Sequence, residues 1–105
     1  MGERLLAPQL IDVEVAASWR RLVAAGQLSQ AAARSAIHDL AAFPLRRVSH
    51  PWLLERCWEL RHNLTIYDAV YVALAEAYQA VLLTADHRLA GAPGPRCDIE
   101  VVKDR

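Results

Sequence analysis

The chain reads Thr65-Ile66-Tyr67-Asp68-Ala69-Val70-Tyr71-Val72-Ala73-Leu74-Ala75 and, shortly afterwards, Val81-Leu82-Leu83-Thr84-Ala85-Asp86. The first segment predicts a helix with a carboxylate, Asp68, in its first turn. The second predicts a short buried strand of a parallel sheet that leads to another carboxylate, Asp86. Because open α/β sheets place their ligands at the carboxyl ends of the strands, we expect these two carboxylates to meet at that edge.

Two carboxylates with no Cys or His beside them favour a hard cation such as Mg2+, which prefers oxygen ligands and shares them with phosphate. Thr84 adds a hydroxyl at the same strand end. The pattern therefore indicates metal-assisted phosphodiester chemistry. A structural alternative stays open: Asp68 stands three residues after Thr65, where the helix dipole stabilises an acid, and Asp86 is suited to cap a helical turn.

Glu14 is a third candidate, because it lies between Val13 and Val15 on a helix predicted to be apolar around most of its surface and mostly buried. No oppositely charged residue stands three or four positions further on to pair with it. A carboxylate in apolar surroundings is costly unless it is paired or bound to a metal. The alternative is a wet helix side that Glu14 shares with Asp12.

Composition sets the broad class. The 105 residues suffice for one domain with one core, spanning residues 1–105, and the formal net charge is zero, so any case for nucleic-acid binding depends on local clusters. The basic clusters are more typical of solvated surface than of phosphate binding: Arg20-Arg21, Arg46-Arg47 and Arg61-His62. The tryptophans are more typical of core or partner surface than of base stacking: Trp19, Trp52 and Trp58. The four histidines show no zinc-site spacing, and no nucleophile elbow or phosphate-binding glycine loop occurs.

The cysteines and the apolar segments bear on the compartment. Cys57 and Cys97 are far apart and fit no metal or redox motif, so they are expected to be ordinary thiols in a reducing compartment. No segment has the pattern of a signal peptide or of a membrane span. We therefore expect a cytoplasmic protein without a membrane partner.

Helices alternate with short strands in the predicted order of elements, which indicates an α/β fold. Pro8 is expected at the first helical position, Ser29 as a helix cap and Asn63 in a left-handed turn. Leu5-Leu6 is interpreted as the possible end of an earlier strand. The predicted helices are 9–25, 29–43, 51–62 and 65–78, the strands are 45–48, 81–84 and 98–102, and a single helical turn covers 86–90.

The three acids and their surroundings resemble the PIN-domain ribonucleases, specifically the VapC-type toxins of bacterial toxin–antitoxin pairs. The resemblance covers nearly the whole chain. It is carried by three segments: Ala7-Pro8-x-Leu10-x-x-x-Glu14-Val15, Tyr67-Asp68-Ala69-x-Tyr71-Val72-Ala73-Leu74-Ala75 and Leu83-Thr84-Ala85-Asp86-x-x-Leu89.

The resemblance implies a three-layer fold, a short parallel sheet flanked by helices. It also implies that Glu14, Asp68 and Asp86 hold one or two Mg2+ or Mn2+ ions, with the Thr84 hydroxyl beside them. The implied reaction is endonucleolytic hydrolysis of RNA, in which the cation lowers the pKa of its bound water and neutralises charge on the phosphate. A homodimer and a VapB-type antitoxin, whose C-terminal segment covers the active site, are the implied partners.

The sequence departs from this family at its start. Family members begin with an apolar strand that ends in an aspartate, and the first strand and first helix have no counterpart here. In the family sheet order 3-2-1-4-5 the missing strand is the central one. We therefore expect an N-terminally incomplete ribonuclease. The alternative hypothesis is a catalytically inactive remnant that only binds antitoxin or a partner toxin subunit.

Overall fold

A computed structural model describes residues 5–103 and confirms the expected α/β class, with short parallel strands flanked by helices. The chain divides into two compact units, residues 1–48 and 49–105. The single domain expected from the sequence stays a prediction. No helix among the described residues has the length and apolar character needed to cross a bilayer.

Unit 1 contains two strands and two helices, and unit 2 contains a 3-10 turn, three helices and two strands. In unit 1 these are β1 (Leu6–Pro8), α1 (Leu10–Ala24), α2 (Gln30–Ala42) and β2 (Arg46–Val48). In unit 2 the 3-10 turn Pro51–Leu53 precedes α3 (Leu54–Glu59), α4 (Ile66–Tyr78), β3 (Leu82–Thr84), α5 (His87–Ala90) and β4 (Ile99–Val101).

The strands form two parallel pairs, β1 with β2 and β3 with β4. In the family order 3-2-1-4-5, the pair of β2 and β1 corresponds to strands 3-2, and the pair of β3 and β4 corresponds to strands 4-5. The family's central strand, strand 1, stays a prediction. Pro8 belongs to β1, so its predicted place at the first helical position is wrong. It sits opposite Val48, whose carbonyl accepts the next amide, that of Gln9, at 2.9 Å. Pairing through that amide postpones the start of α1 to Leu10.

The helices of unit 1 begin and end near the predicted residues. Ser29 caps α2, since its hydroxyl accepts the Ala32 amide at 3.1 Å, and Gly26 takes a positive φ of 75° after α1. The prediction that α1 is mostly buried is wrong, because none of its residues is buried and Val13 is 69% exposed. Within unit 1, α1 packs on α2 and β1, which cover only part of its surface.

Arg47 joins three elements of unit 1. Its Nε and Nη2 donate to the two Asp12 carboxylate oxygens at 2.7 and 2.9 Å, and Nη2 and Nη1 also donate to the carbonyls of Leu40 and Leu45. The hydrogen bond from Arg47 holds the pKa of Asp12 below its ordinary value. The interpretation of this arginine as solvated surface is therefore wrong, as is that of Asp12 as a residue that merely shares a wet side.

Unit 2 has its core along α4, which buries residues on most of its circumference. The predicted helix 51–62 is divided, because the chain forms a 3-10 turn, then α3, then a turn in which the Leu64 amide donates to the Leu60 carbonyl at 3.1 Å. The prediction that Asn63 adopts a left-handed backbone conformation is wrong. Among non-glycine residues of 5–103, positive φ occurs at Gln79, the C-cap of α4. The buried α4 residues are Ala69, Val70, Val72, Ala73, Leu74 and Ala75.

A bidentate ion pair holds unit 2 together. Arg56 of α3 donates through Nε and Nη2 to Glu76 of α4 at 2.8 and 3.1 Å, and these side chains are only 20% and 13% exposed. Nη2 also donates to the Gly94 carbonyl at 3.0 Å, and Glu76 accepts the Arg96 amide at 2.7 Å. Burial raises the pKa of Glu76, but the bonds from Arg56 and Arg96 outweigh it and leave that pKa lowered.

Gly94 is required for this arrangement. Its φ is 107°, and a Cβ at this position would lie 3.1 Å from Cδ2 of the buried Leu60. Any other residue would therefore strain the backbone and crowd the core. The loop that leads to β4 is thus fixed to α3 at Gly94 and to α4 at Arg96.

We expect Glu76→Gln to destabilise the protein by about 2 kcal/mol, because it removes a carboxylate that accepts three hydrogen bonds, two of them from a guanidinium. The matched control is Glu59→Gln. Glu59 binds the same arginine at 3.1 Å, but its side chain is 55% exposed, so its loss should cost less than about 1 kcal/mol. Urea denaturation followed by circular dichroism measures both, and equal effects would show that the Glu76 bonds are not central.

Candidate active site

Asp68 lies in the first turn of α4, as predicted. Thr65 is the N-cap, and its hydroxyl accepts the Asp68 amide at 3.1 Å. The side chain is half-buried, and within residues 5–103 its carboxylate makes no hydrogen bond or ion pair. Asp68 therefore offers carboxylate oxygens that the fold itself does not use.

Asp86 follows β3 and caps α5. One of its carboxylate oxygens, Oδ1, accepts the Arg88 amide at 2.9 Å and lies 3.4 Å from the Arg88 Nε. The Thr84 hydroxyl in turn accepts the Asp86 amide at 3.0 Å. The hydrogen bond from the Arg88 amide is the main cause that lowers the pKa of Asp86 below its ordinary value. The Leu89 amide and the Arg88 side chain add to this lowering, so the carboxylate is ionised at neutral pH.

The lengths of α4 and β3 are compatible with the expectation that Asp68 and Asp86 lie at the same end of unit 2. The two elements are in contact and are joined through Gln79, whose backbone is left-handed. Asp68 lies ten residues before the end of α4, about 15 Å along the helix axis. Asp86 lies four residues after the start of β3, about 13 Å along an extended chain.

Glu14 lies half-buried on α1, in unit 1. Among residues 5–103, no three His, Cys, Asp or Glu side chains form a group that could hold a metal ion. The predicted three-carboxylate cluster of Glu14, Asp68 and Asp86 therefore stays a prediction.

Arg88 was not singled out by the sequence analysis. Its backbone amide and its Nε both face the Asp86 carboxylate, and its side chain is 93% exposed. The signal available in the sequence was the Asp-x-Arg spacing directly after an apolar strand, which is typical of a capped helical turn. Arg88 supplies the positive charge closest to this carboxylate.

The cysteines do not form a nucleophilic site. Both are free thiols, and Cys57 is fully buried while Cys97 is partly buried. Burial raises the pKa of both thiols, and for Cys97 the nearby Glu76 charge raises it further. A thiol with a raised pKa is a poor nucleophile at neutral pH.

Residues 1–95 match the PIN domain family. Together with the parallel strand pairs and the carboxylates at the starts of α4 and α5, this match defines the class. The chain belongs to the PIN-domain family.

The resemblance to VapC-type proteins is also confirmed. The chain is 48% identical to Ribonuclease VapC1 of Mycobacterium tuberculosis H37Rv over 98 residues, which cover 92% of this chain and 74% of the relative. It is 44% identical to VapC ribonuclease Mb0985 of Mycobacterium bovis over 101 residues, 96% of this chain and 80% of the relative. Ribonuclease VapC12 of Mycobacterium tuberculosis is 35% identical over 101 residues, which cover 96% of this chain and 78% of the relative.

The Asp86 cap should respond to pH in a defined direction. Because the pKa of Asp86 is lower in the folded state than its ordinary value of 3.8, the cap contributes stability above about pH 4 and loses it as the pH falls through the folded pKa. A carboxyl-carbon NMR titration should give a midpoint below 3.8 for Asp86. Replacing Arg88 by Ala should keep most of that shift, since its amide is retained. A midpoint at or above the ordinary value would contradict the cap.

Proposed function

We propose that this chain is a metal-dependent endoribonuclease of the VapC type, the toxin component of a toxin–antitoxin pair, which hydrolyses phosphodiester bonds in RNA. The observation that carries the proposal is the local position of two aspartates, Asp68 in the first turn of α4 and Asp86 as the N-cap of α5, two residues after β3. The relatives named ribonuclease, which align with most of the chain, support the same activity.

The donor set fits a hard divalent cation. Asp68 has a carboxylate not engaged by described residues, and both Arg88 contacts of Asp86 involve the same carboxylate oxygen, Oδ1. In our proposal these two residues hold Mg2+ or Mn2+ together with Glu14. When bound, such an ion supplies Lewis-acid stabilisation of phosphate charge and activation of water.

The protein's own groups prepare this site. Thr65 and Thr84 each accept the amide of the neighbouring aspartate, which fixes the backbone from which each carboxylate extends. Arg88 partly neutralises Asp86. In the proposal this reduces the repulsion that an approaching phosphate would meet, and Thr84 acts as a positioning residue for Asp86.

The proposed partners are a VapB-type antitoxin and a second copy of the chain. The VapC-type relatives support the antitoxin partner, and in the proposal the exposed apolar side chains of unit 1 are part of the surfaces that these partners cover. The cytoplasmic location expected from the sequence belongs to the same proposal. The side chains concerned are Val13, Leu22, Ile37 and Phe43.

A cleavage assay tests the activity. We expect the chain to cut single-stranded RNA in Mg2+ or Mn2+, and EDTA to stop the reaction. Asp68→Asn should reduce the rate by more than about a hundredfold, because an amide is a weaker ligand than a carboxylate and carries no charge. Asp98→Asn is the matched control, since Asp98 is an exposed aspartate outside the proposed site.

The assay has a clear contrary outcome. Cleavage that persists in EDTA and in Asp68→Asn would disprove the proposed mechanism. An intact, folded chain that cuts no RNA would instead favour the inactive remnant. Thermal melting of each variant, followed by circular dichroism, separates loss of activity from loss of fold.

Metal binding can be measured without activity. Titration with Mn2+ followed by electron paramagnetic resonance should show weaker binding in Glu14→Gln, Asp68→Asn and Asp86→Asn, and unchanged binding in Asp98→Asn. We expect losses of at least about tenfold for each ligand. Wild-type affinity in Glu14→Gln would remove Glu14 from the site while leaving the two aspartates.

A further inference from the structure

Trp58 and Arg61 form a stacked pair on the surface of unit 2. Trp58 lies on α3 and is 62% exposed. The guanidinium carbon of Arg61 lies over the indole ring, 4.5 Å from its centroid, at the distance of a cation–π contact. Arg61 Nη1 also donates to the Trp58 carbonyl at 2.8 Å. Two contacts therefore hold an exposed guanidinium in one place.

The charge of Arg61 is not neutralised by a carboxylate among the described residues. Arg47, Arg56 and Arg88 each pair with an Asp or Glu side chain, whereas the hydrogen bond of Arg61 ends on a carbonyl oxygen. An arginine that is fixed, exposed and unpaired can still bind an anion from solution. Its planar group also offers a surface for stacking.

Trp52, which is 56% exposed, differs from Trp58 in its contacts and not in its exposure. Its indole N–H donates to the Ser49 carbonyl, and its ring lies 6.4 Å from the Tyr78 ring at an angle of 56°. Trp52 is thus occupied by contacts within its own unit. For Trp58 the structure gives a cation on the ring and no aromatic partner among residues 5–103.

The stacked pair is close to Asp68 along the chain. The turn after Leu60 is helical, and Thr65 accepts the Ala69 amide as α4 begins. Residues 61–64 and 65–68 each span about one helical turn, and a single peptide bond joins them. The Cα atoms of Arg61 and Asp68 are therefore no more than about 15 Å apart. Tyr67, the residue before Asp68, is also 62% exposed. A few nucleotides of single-stranded RNA would span this distance.

We propose that Trp58 and Arg61 form a stacking platform for a base of single-stranded RNA, beside the carboxylate of Asp68. Bases stack on aromatic rings and on arginine planes in single-strand recognition, and the guanidinium also attracts the adjoining phosphate. This inference rests on the proposed function, because it assigns a binding site for the same RNA substrate. Stacking tolerates any base, so the platform contributes affinity more than choice of sequence.

RNA binding in EDTA tests the platform apart from catalysis. A fluorescein-labelled single-stranded oligoribonucleotide is titrated with the full chain, and anisotropy gives the Kd. We expect Trp58→Ala and Arg61→Ala to raise the Kd about tenfold or more. Trp58→Phe should stay close to wild type because it keeps an aromatic face. Arg61→Lys should lose much of the affinity, because lysine keeps the charge but not the plane.

The control for general charge is Arg34→Ala. Arg34 is an exposed arginine on α2, so its loss removes the same charge from unit 1. We expect its Kd to stay within about twofold of wild type, because the loss of a single charge that is not part of the platform contributes little. Tryptophan fluorescence gives a second readout: RNA should quench the wild type, and the quenched component should be absent in Trp58→Phe.

The outcomes separate this inference from the proposed function. If wild type cleaves RNA and the platform variants bind RNA as wild type does, the activity stands and the platform is wrong. If the platform variants lose RNA binding but no metal-dependent cleavage is found, the platform stands and the proposed activity fails. If wild type binds no RNA, or if Trp58→Ala dissociates a dimer without changing the Kd, the inference is overturned.

Cleavage kinetics add a last check. For a platform that only binds the substrate, Trp58→Ala should raise KM with kcat little changed. A fall in kcat at unchanged KM would place Trp58 in the support of the active site instead. Circular dichroism melts confirm that each variant is folded before its Kd is used.

Discussion

The bidentate pair between Arg56 and Glu76 is the contact on which the rest of unit 2 depends. It joins α3 to α4, and its remaining hydrogen-bonding groups take the Gly94 carbonyl and the Arg96 amide. That loop leads directly into β4. Arg56 and Glu76 are mostly buried, but each has a further hydrogen-bond partner besides the other. Neither charge is therefore left uncompensated.

The position of Asp86 in the candidate site depends on the Arg56–Glu76 pair. With β4 fixed, the Leu82 amide donates to the Asp98 carbonyl and the Val102 amide donates to the Thr84 carbonyl, so β3 is held at both ends. Thr84 then fixes the amide of Asp86 two residues further on. The Arg56–Glu76 pair therefore supports the position of the Asp86 backbone through β4, β3 and Thr84.

At Asp68 and Asp86 the structural and functional interpretations do not exclude each other. Asp68 stands in a capped first turn and Asp86 is itself a cap, as the structural alternative required. The amide hydrogen bond that makes Asp86 a cap also lowers the pKa of its carboxyl group, which is what a cation ligand needs. The start of a helix is a favourable position for a carboxylate ligand, because the free backbone amides there stabilise negative charge.

Local signals in the sequence were sufficient for most elements, and long-range pairs were not visible in it. Ser29 and Thr65 were recognisable as caps because capping depends on residues three positions apart. Asp12 and Arg47 are 35 residues apart, and Arg56 and Glu76 are 20 apart, so no local pattern reveals either pair. The burial of α1 was misjudged for the same reason, since burial depends on what the fold brings against a helix.

The arginines show why net charge says little about this chain. The formal charge is zero, yet the carboxylates are distributed unevenly among the cations. Asp12 and Glu76 are committed to Arg47 and Arg56 inside the two units, where they serve the fold. Arg61 lies on an indole ring instead, with its charge directed to solvent. Ion pairs inside the units therefore leave local positive charge that the formal net charge of zero does not show. Any recognition of a polyanion by this protein must depend on such unpaired arginines.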